Sequence, residues 1–323
     1  MTESPTLTPL QQALLDWFAA NERDLPWRQT RDPYRVLVSE IMLQQTQVDR
    51  VLPKYLAFLE RFPTAEALAA AAPADVITSW QGLGYNRRAI NLQRAAQAVV
   101  AAGYPADPAA FPGTPEGLRE LPGIGPYTAG AVACFAFERD VAFLDTNIRR
   151  VVRRTQFGPE DQPPDTGEQT LIEAAAALIP PGQGWRWNQA IMELGALICT
   201  AARPQCWRCP VRPSCAAYAA WSAADTNLSD WKPAPKARKK AAEQPFHESN
   251  RYFRGRVIDA LRGLPPGASY ALPELGPLVK EGWTSAELPW LGKLVSALAG
   301  DGLLAWIDQA GDDLAAWRVA LPR

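Results

Sequence analysis

The chain has 323 residues, 47% of them hydrophobic, and a formal net charge of −1. That length and apolar content predict a sizeable buried core and two domains. No apolar run approaches the length of a membrane span, so a soluble protein with no membrane partner is expected. A near-neutral charge excludes a chain that holds polyanions by bulk charge alone; nucleic-acid binding would need a local basic surface.

Residues 8 to 22 read as an amphipathic first helix. Leu25 to Asp32 (L-P-W-R-Q-T-R-D) reads as a loop, and Pro33 stands where a helix begins. A helical run is predicted from there to about Phe62, interrupted near Pro53. Pro63-Thr64 and Pro73 open two more helices, Gly82-Leu83-Gly84 is a turn, and a helix covers 86 to 102. Leu121 to Thr128 (L-P-G-I-G-P-Y-T) reads as a glycine hairpin leading into a helix at 127 to 138. Asp145 precedes a helix at 147 to 155. After a proline-rich stretch (158 to 165), helices are predicted over 167 to 179 and 186 to 199, followed by a cysteine loop. The polar, basic chain from Trp221 to Asn250 reads as a linker. Beyond it, helices at about 251 to 263, 272 to 280 and 286 to 300, then D-G-L-L-A-W and L-A-A-W-R-V-A-L as a β-hairpin, predict a winged-helix-like domain. The fold class is mainly α, divided as 1–220, a linker 221–250, and 251–323.

Cys199, Cys206, Cys209 and Cys215 fall in the pattern C-x6-C-x2-C-x5-C. A thiolate quartet in one short segment reads as a metal or cluster site. Nothing at the N-terminus looks like a secretory signal, which sets disulfides far behind. Zinc also takes four thiolates, but its ribbons usually present two separated C-x2-C knuckles. One irregular loop favours a [4Fe-4S] cluster.

Two carboxylates stand out. Glu40, in V-S-E-I-M-L-Q-Q-T, has Val36, Leu37 and Leu43 as helical neighbours, an apolar setting that should raise its pKa and suit it to donate a proton near neutrality. The bland reading is a glutamate that snorkels to solvent. Asp145, in F-L-D-T-N, reads as an N-cap, a role compatible with catalysis if one oxygen stays free. One neutral and one ionised carboxylate are what cleavage of a glycosidic bond requires. The only histidine is His247, near the end of the linker, so a histidine-based triad in the main domain is excluded. The turn at Gly123 to Gly125 can aim backbone N–H groups at a phosphate. Basic candidates are Arg87 and Arg88, Arg149 to Arg154, and Lys236 to Lys240, each of which alone reads as a solvated face.

Taken in order, L-P-W-R, R-D-P-Y, S-E-I-M-L-Q-Q-T-Q-V, G-L-G-Y, L-P-G-I-G-P-Y-T-A-G-A, L-D-T-N-I-R-R-V, N-Q-A-I-M-E-L-G-A and the cysteine quartet resemble the MutY-type adenine DNA glycosylases of the endonuclease III superfamily, whose hairpin is a helix-hairpin-helix motif. The resemblance covers roughly residues 8 to 217. It implies a monomeric, cytoplasmic, nucleoid-associated enzyme acting on double-stranded DNA with A:8-oxoguanine or A:G mispairs. The adenine would leave the stack and enter a pocket between two helical lobes. By the same resemblance, Glu40 protonates the adenine, Asp145 stabilises the oxocarbenium-like sugar or links to it transiently, and Tyr127 and Asn147 support them. Arg23, Trp27, Arg28, Leu43 and Gln189 form or border the pocket, while Gln45 and Tyr85 push into the duplex on the orphan base's side.

Tyr127 stands where bifunctional relatives carry a Schiff-base lysine, so base excision without efficient strand cleavage is implied. Thr146 replaces the family's usual glycine after the aspartate, and Asn86 replaces a second tyrosine. The Nudix-like domain that reads 8-oxoguanine in most members is not matched by residues 251 to 323. A thymine or uracil mismatch glycosylase and a non-catalytic DNA-binding relative remain as alternatives.

Overall fold

The structure, a computed structural model, describes residues 6–161, 166–226, 245–265, 267–309, 311 and 313–323. Its helices are α1 (Pro9–Asn21), α2 (Pro33–Leu43), α3 (Val48–Arg61), α4 (Ala65–Ala70), α5 (Pro73–Ser79), α6 (Arg87–Ala101), α7 (Pro115–Arg119), α8 (Pro126–Phe137), α9 (Thr146–Val152), α10 (Glu168–Ala177), α11 (Gly184–Leu197), α12 (Ala216–Ala223), α13 (Asn250–Arg262), α14 (Leu272–Val279) and α15 (Leu288–Gly300). Three short strands, β1 (Tyr270–Ala271), β2 (Ala305–Asp308) and β3 (Arg318–Ala320), complete the elements. The chain is mainly α, as the sequence predicts. Among the described residues no helix is long and apolar enough to cross a membrane. The central part of the predicted linker, with Lys236 to Lys240, and Gln162 to Asp165 of the proline-rich stretch lie outside the described residues.

Contacts divide the chain into two units. One comprises residues 1–40, 112–120 and 124–238; the other comprises 41–111, 121–123 and 239–323. In the first, starts and stops follow local chemistry. Thr8 and Gln11 close a capping box on α1, and the Asp32 carboxylate accepts from the N–H groups of Tyr34 and Arg35 at the start of α2. Such caps satisfy donors that a helix leaves orphaned.

Helices α8 and α11 are buried along most of their length, and small residues let the chain approach them. A Cβ on Gly130 would lie 2.7 Å from the Cβ of Phe143, and one on Gly195 would lie 2.6 Å from the Cβ of Asn147. Since real Cβ contacts essentially never fall below 3.0 Å, these two glycines fix where the Phe143–Asn147 segment runs.

In the second unit the predicted interruption of the long helical run is displaced. It lies at Gln44–Gln47, with Gln45 at φ +56°, while Pro53 sits inside α3. An internal proline costs roughly 3 kcal/mol. Burial of Val51, Tyr55 and Phe58 on one face of α3 offsets it, at about 1.5–3 kcal/mol per large apolar side chain.

The C-terminal elements run α13, β1, α14, α15, β2, β3. The sheet has the antiparallel order β1-β3-β2, pairing Tyr270 with Val319 and Ala305 with Ala320. This is the predicted winged-helix-like arrangement, with β1 as a strand that two residues were too short to announce. Its core (Val257, Leu261, Leu291 and Val295 among others) is continuous with Ile77 of α5 and Ile90 of α6.

Candidate active site

Glu40 is 3% exposed on α2, so it is buried rather than snorkelling to solvent. Burial drives its pKa from 4.5 up to about 7; the hydrogen bond from Tyr127 opposes this, and the nearby Asp145 charge adds to it. The Tyr127 hydroxyl, on the first turn of α8, donates to Glu40 Oε2 at 3.0 Å. Burial and both carboxylates push the phenol well above its ordinary value, so Tyr127 stays a proton donor in this pair. Its ring stands edge-on to Phe143, with centroids 5.5 Å apart.

Asp145 caps α9. Its Oδ1 accepts from the Ile148 N–H at 2.6 Å and its Oδ2 from Asn147 Nδ2 at 2.9 Å. Burial raises its pKa, while the bonds from Ile148 and Asn147 and the charge of Arg150 pull the other way. The two carboxylates are thus close enough to feel each other and differently provided: Glu40 has one hydroxyl donor, Asp145 two N–H donors and a guanidinium nearby. Burial leaves both carboxyls raised, and the unlike donor sets around them are what favour different roles for the two acids.

Arg150 carries the construction further. Its Nη2 donates to Asn147 Oδ1 at 2.8 Å and to the Gly195 carbonyl at 2.6 Å, and its Nε to the Cys199 carbonyl at 2.5 Å. Arg154, buried, donates to Cys199 Sγ at 3.5 Å and to the Thr200 carbonyl at 2.8 Å. Arg153 donates to the Gly158 carbonyl at 2.9 Å. Three of the four arginines in R-R-V-V-R-R are therefore internal wiring rather than a basic surface. Helix α9 ends at Val152, and a wider turn at Arg153–Phe157 replaces the predicted last turn.

All four cysteines of the quartet line one cavity together with Arg154, Val211 and Trp221. The loop is built from short turns at Cys206–Arg208 and Arg212–Ser214, and Cys206 and Cys215 pack on Ala217 and Trp221. Burial, then mutual repulsion among the thiolates, pushes Cys206 up to about 11; Cys209 reaches about 12, burial again leading. A set of four thiols converging on one cavity suits a positively charged group that takes thiolate ligands. Among the described residues no three His, Cys, Asp or Glu side chains have the geometry of a single-ion site. Cys134 is buried apart from them, accepting from Asn188 Nδ2 at 3.4 Å.

Residues 38–176 match the HhH-GPD superfamily of base excision DNA repair proteins. The chain is 41% identical to an adenine DNA glycosylase of Mycolicibacterium smegmatis over 259 residues, covering 80% of this chain and 81% of that protein. The chain belongs to the HhH-GPD DNA glycosylases. A second relative, an adenine DNA glycosylase of Mycobacterium tuberculosis, is 39% identical over 250 residues, with 77% of each chain covered. A solved thermostable thymine-DNA glycosylase has a similar fold, with a TM-score of 0.58 and 30% identity over 65% of this chain and 95% of that one. This glycosylase works in base excision repair by hydrolysing N-glycosidic bonds.

The remaining expected site residues of the glycosylase fall into two groups. Arg23 and Arg28 meet on Glu193, a residue that the sequence reading passed over, and Gln189 joins them through Arg28. Arg23 Nε donates to Glu193 Oε1 at 2.5 Å, Arg28 Nη2 to Oε2 at 2.7 Å, and Arg28 Nε to Gln189 Oε1 at 2.8 Å. Burial pushes Glu193 up, but the bonds and charges of the two arginines more than offset it and hold its carboxyl below the ordinary value. The signal was available: Glu193 is the single polar side chain from Ala190 to Leu197, one helical turn from Gln189. Glu193→Ala should destabilise the protein by about 3–5 kcal/mol, because Arg28 is left buried and uncompensated. Chemical denaturation measures this, and a loss below about 1 kcal/mol would show the charge is not buried as described. Trp27 is buried in the turn Pro26–Arg28 beside them.

Leu43, Gln45 and Tyr85 lie in the second unit. Gln45 and Tyr85 both have positive φ, +56° and +48°, conformations that a non-glycine residue holds only where its surroundings impose them. Arg88 imposes much of this. Its guanidinium donates to the carbonyls of Ile41, Met42, Gln44, Leu83 and Gly84, tying the end of α2 to the G-L-G turn. Gly123 turns at φ +78°, and Gly125 caps α8 with open space around it.

Proposed function

We propose that this glycosylase removes adenine mispaired with 8-oxoguanine or guanine, and does so without efficient strand cleavage. The observation that carries the reading is the pair of carboxylates in unlike settings, Glu40 raised to about 7 and held by Tyr127, Asp145 ringed by N–H donors. Protonated Glu40 gives its proton to an imidazole-ring nitrogen of the adenine as the bond from C1′ to the base breaks, so that the base departs neutral. Asp145 stabilises the positive charge that develops on the sugar, directly or through a transient link, and water completes the hydrolysis. Asn147 keeps the Asp145 carboxylate oriented. Tyr127, a phenol, cannot form a Schiff base.

Arg23, Trp27, Arg28, Leu43 and Gln189 are proposed to shape the base pocket. Gln45 and Tyr85 are assigned to the duplex interior, and the Gly123–Gly125 turn to a phosphate. Cys199, Cys206, Cys209 and Cys215 would hold a [4Fe-4S] cluster, whose contribution here is structural; the shared cavity and the nearby Arg154 support this. The working division is a glycosylase domain 1–220, a linker 221–250 and a winged-helix-like segment 251–323, in a cytoplasmic, nucleoid-associated monomer.

The adenine assignment leans on relatives at 39–41% identity against a thymine-DNA glycosylase at 30%. Incubation with duplexes containing A:8-oxoguanine, A:G, G:T and G:U, followed by alkali, decides it. Cleavage at the adenine strand is expected. Product only from G:T or G:U would assign a pyrimidine instead, and no product from any duplex would remove the catalytic reading.

A further inference from the structure

The C-terminal segment resembles a winged helix, a fold that commonly reads DNA with its third helix. Here that helix, α15, is ill-suited to the task. Its solvent face carries Lys293 as its one charged side chain, beside Ser296 and Ala297. The basic chemistry sits instead at the start of α13.

There, wholly within the second unit, a groove of about 620 Å³ is lined by five arginines and two aspartates. The aspartates are spoken for: Asp301 pairs with Arg87 and Arg254, and Asp259 with Arg262. Among the described residues neither Arg251 nor Arg256 has a carboxylate partner. Arg251 instead lies over the Tyr85 ring, 4.1 Å from its centroid, and 5.7 Å from that of Phe246. Tyr85 is 42% and Phe246 61% exposed. Exposed aromatic rings interleaved with an unneutralised guanidinium, along a groove with a net positive lining, form the arrangement that stacks unpaired bases and tracks a phosphate backbone. A solvated ion-pair surface would have neutralised Arg251, and a structural aromatic would have been covered.

We propose that this groove is a DNA-strand site of the C-terminal segment. An unstacked base lies against Phe246, Arg251 and Tyr85, flanking phosphates meet Arg87 and Arg256, and α13 rather than α15 is the DNA-facing helix. The proposal rests on the glycosylase reading only in taking DNA as the occupant. It gives this C-terminal segment a role in holding the opened mispair.

The test uses the full chain and fluorescence anisotropy at one fixed salt concentration, since phosphate contacts make affinity salt-dependent. One duplex carries a non-cleavable 2′-fluoro adenosine opposite 8-oxoguanine; the other is fully matched. Arg251→Ala and Phe246→Ala are each expected to weaken binding of the mispaired duplex about tenfold, the usual cost of removing one stacking partner, with less than about a twofold change on the matched duplex. Phe246→Trp should restore the loss, and Lys293→Ala should change neither affinity. Unchanged binding of the mispair, an equal loss on both duplexes, or a loss produced by Lys293→Ala would each overturn the proposal. Failure of the glycosylase reading would look different: the unsubstituted protein would excise no base from any duplex.

Discussion

Glu40→Gln is expected to lower base excision by roughly a hundred- to ten-thousand-fold, the usual contribution of a positioned general acid, while leaving duplex affinity within about twofold. Single-turnover excision and anisotropy on the same duplex measure the two quantities. Normal turnover by this variant would remove Glu40 as the acid. The pH dependence carries its own sign. Glu40 donates only when protonated, and its pKa is about 7. Excision should therefore hold level on the acid side and fall about tenfold per pH unit above 7, from the Glu40 limb alone. Stability has a matching sign. The folded pKa exceeds the ordinary value of 4.5, so the folded state binds the extra proton. The stability is fully present below pH 4.5 and is lost as pH rises toward and through 7. Above pH 7 the Glu40→Gln variant, whose amide carries no charge to desolvate, should then be the more stable protein, by on the order of 3 kcal/mol. A variant less stable than the parent at pH 8 would show that Glu40 is not desolvated as described.

Cys206→Ser should remove bound iron and its broad visible absorbance. It should also lower the melting temperature by on the order of 10 °C, corresponding to a loss of a few kcal/mol in a unit of this size. The reason is local. The 199–215 loop is built of short turns, and its apolar packing is confined to Pro204, Val211 and the contact of Cys206 and Cys215 with Ala217 and Trp221, so its order depends largely on what the four thiols share. Arg150 and Arg154 hold the loop's first residues, Arg150 at the Cys199 carbonyl and Arg154 at Cys199 Sγ and the Thr200 carbonyl. Arg150 also holds Asn147 beside Asp145. Loosening the loop should therefore slow excision as well as lower stability. Stoichiometric zinc in a colourless parent protein, or iron retained by the variant with an unchanged melting temperature, would refute the cluster assignment.

Much of this architecture is written in short-range signals. Prolines at helix starts, the Thr8–Gln11 box and the Asp145 cap act within a few residues, so their positions can be read directly. The burial of Glu40 is legible too, because three apolar neighbours at helical spacing leave little water around it. Pro53 misled for the converse reason. A breaker's local cost is fixed, but whether a helix runs through it depends on what the helix buries.

The sequence by itself determined the mainly helical class, the two carboxylates, the thiol quartet and the membership that their order implies. Each depends on residue type and spacing alone. Only the tertiary structure decided that Glu193 gathers Arg23 and Arg28, that R-R-V-V-R-R turns inward to the cysteine loop, and that α13 carries the basic groove. Those outcomes turn on which side chains meet across 45 to 170 residues of chain. A charge has the same letter whether it faces water, a carbonyl or a buried carboxylate, and its surroundings set its role.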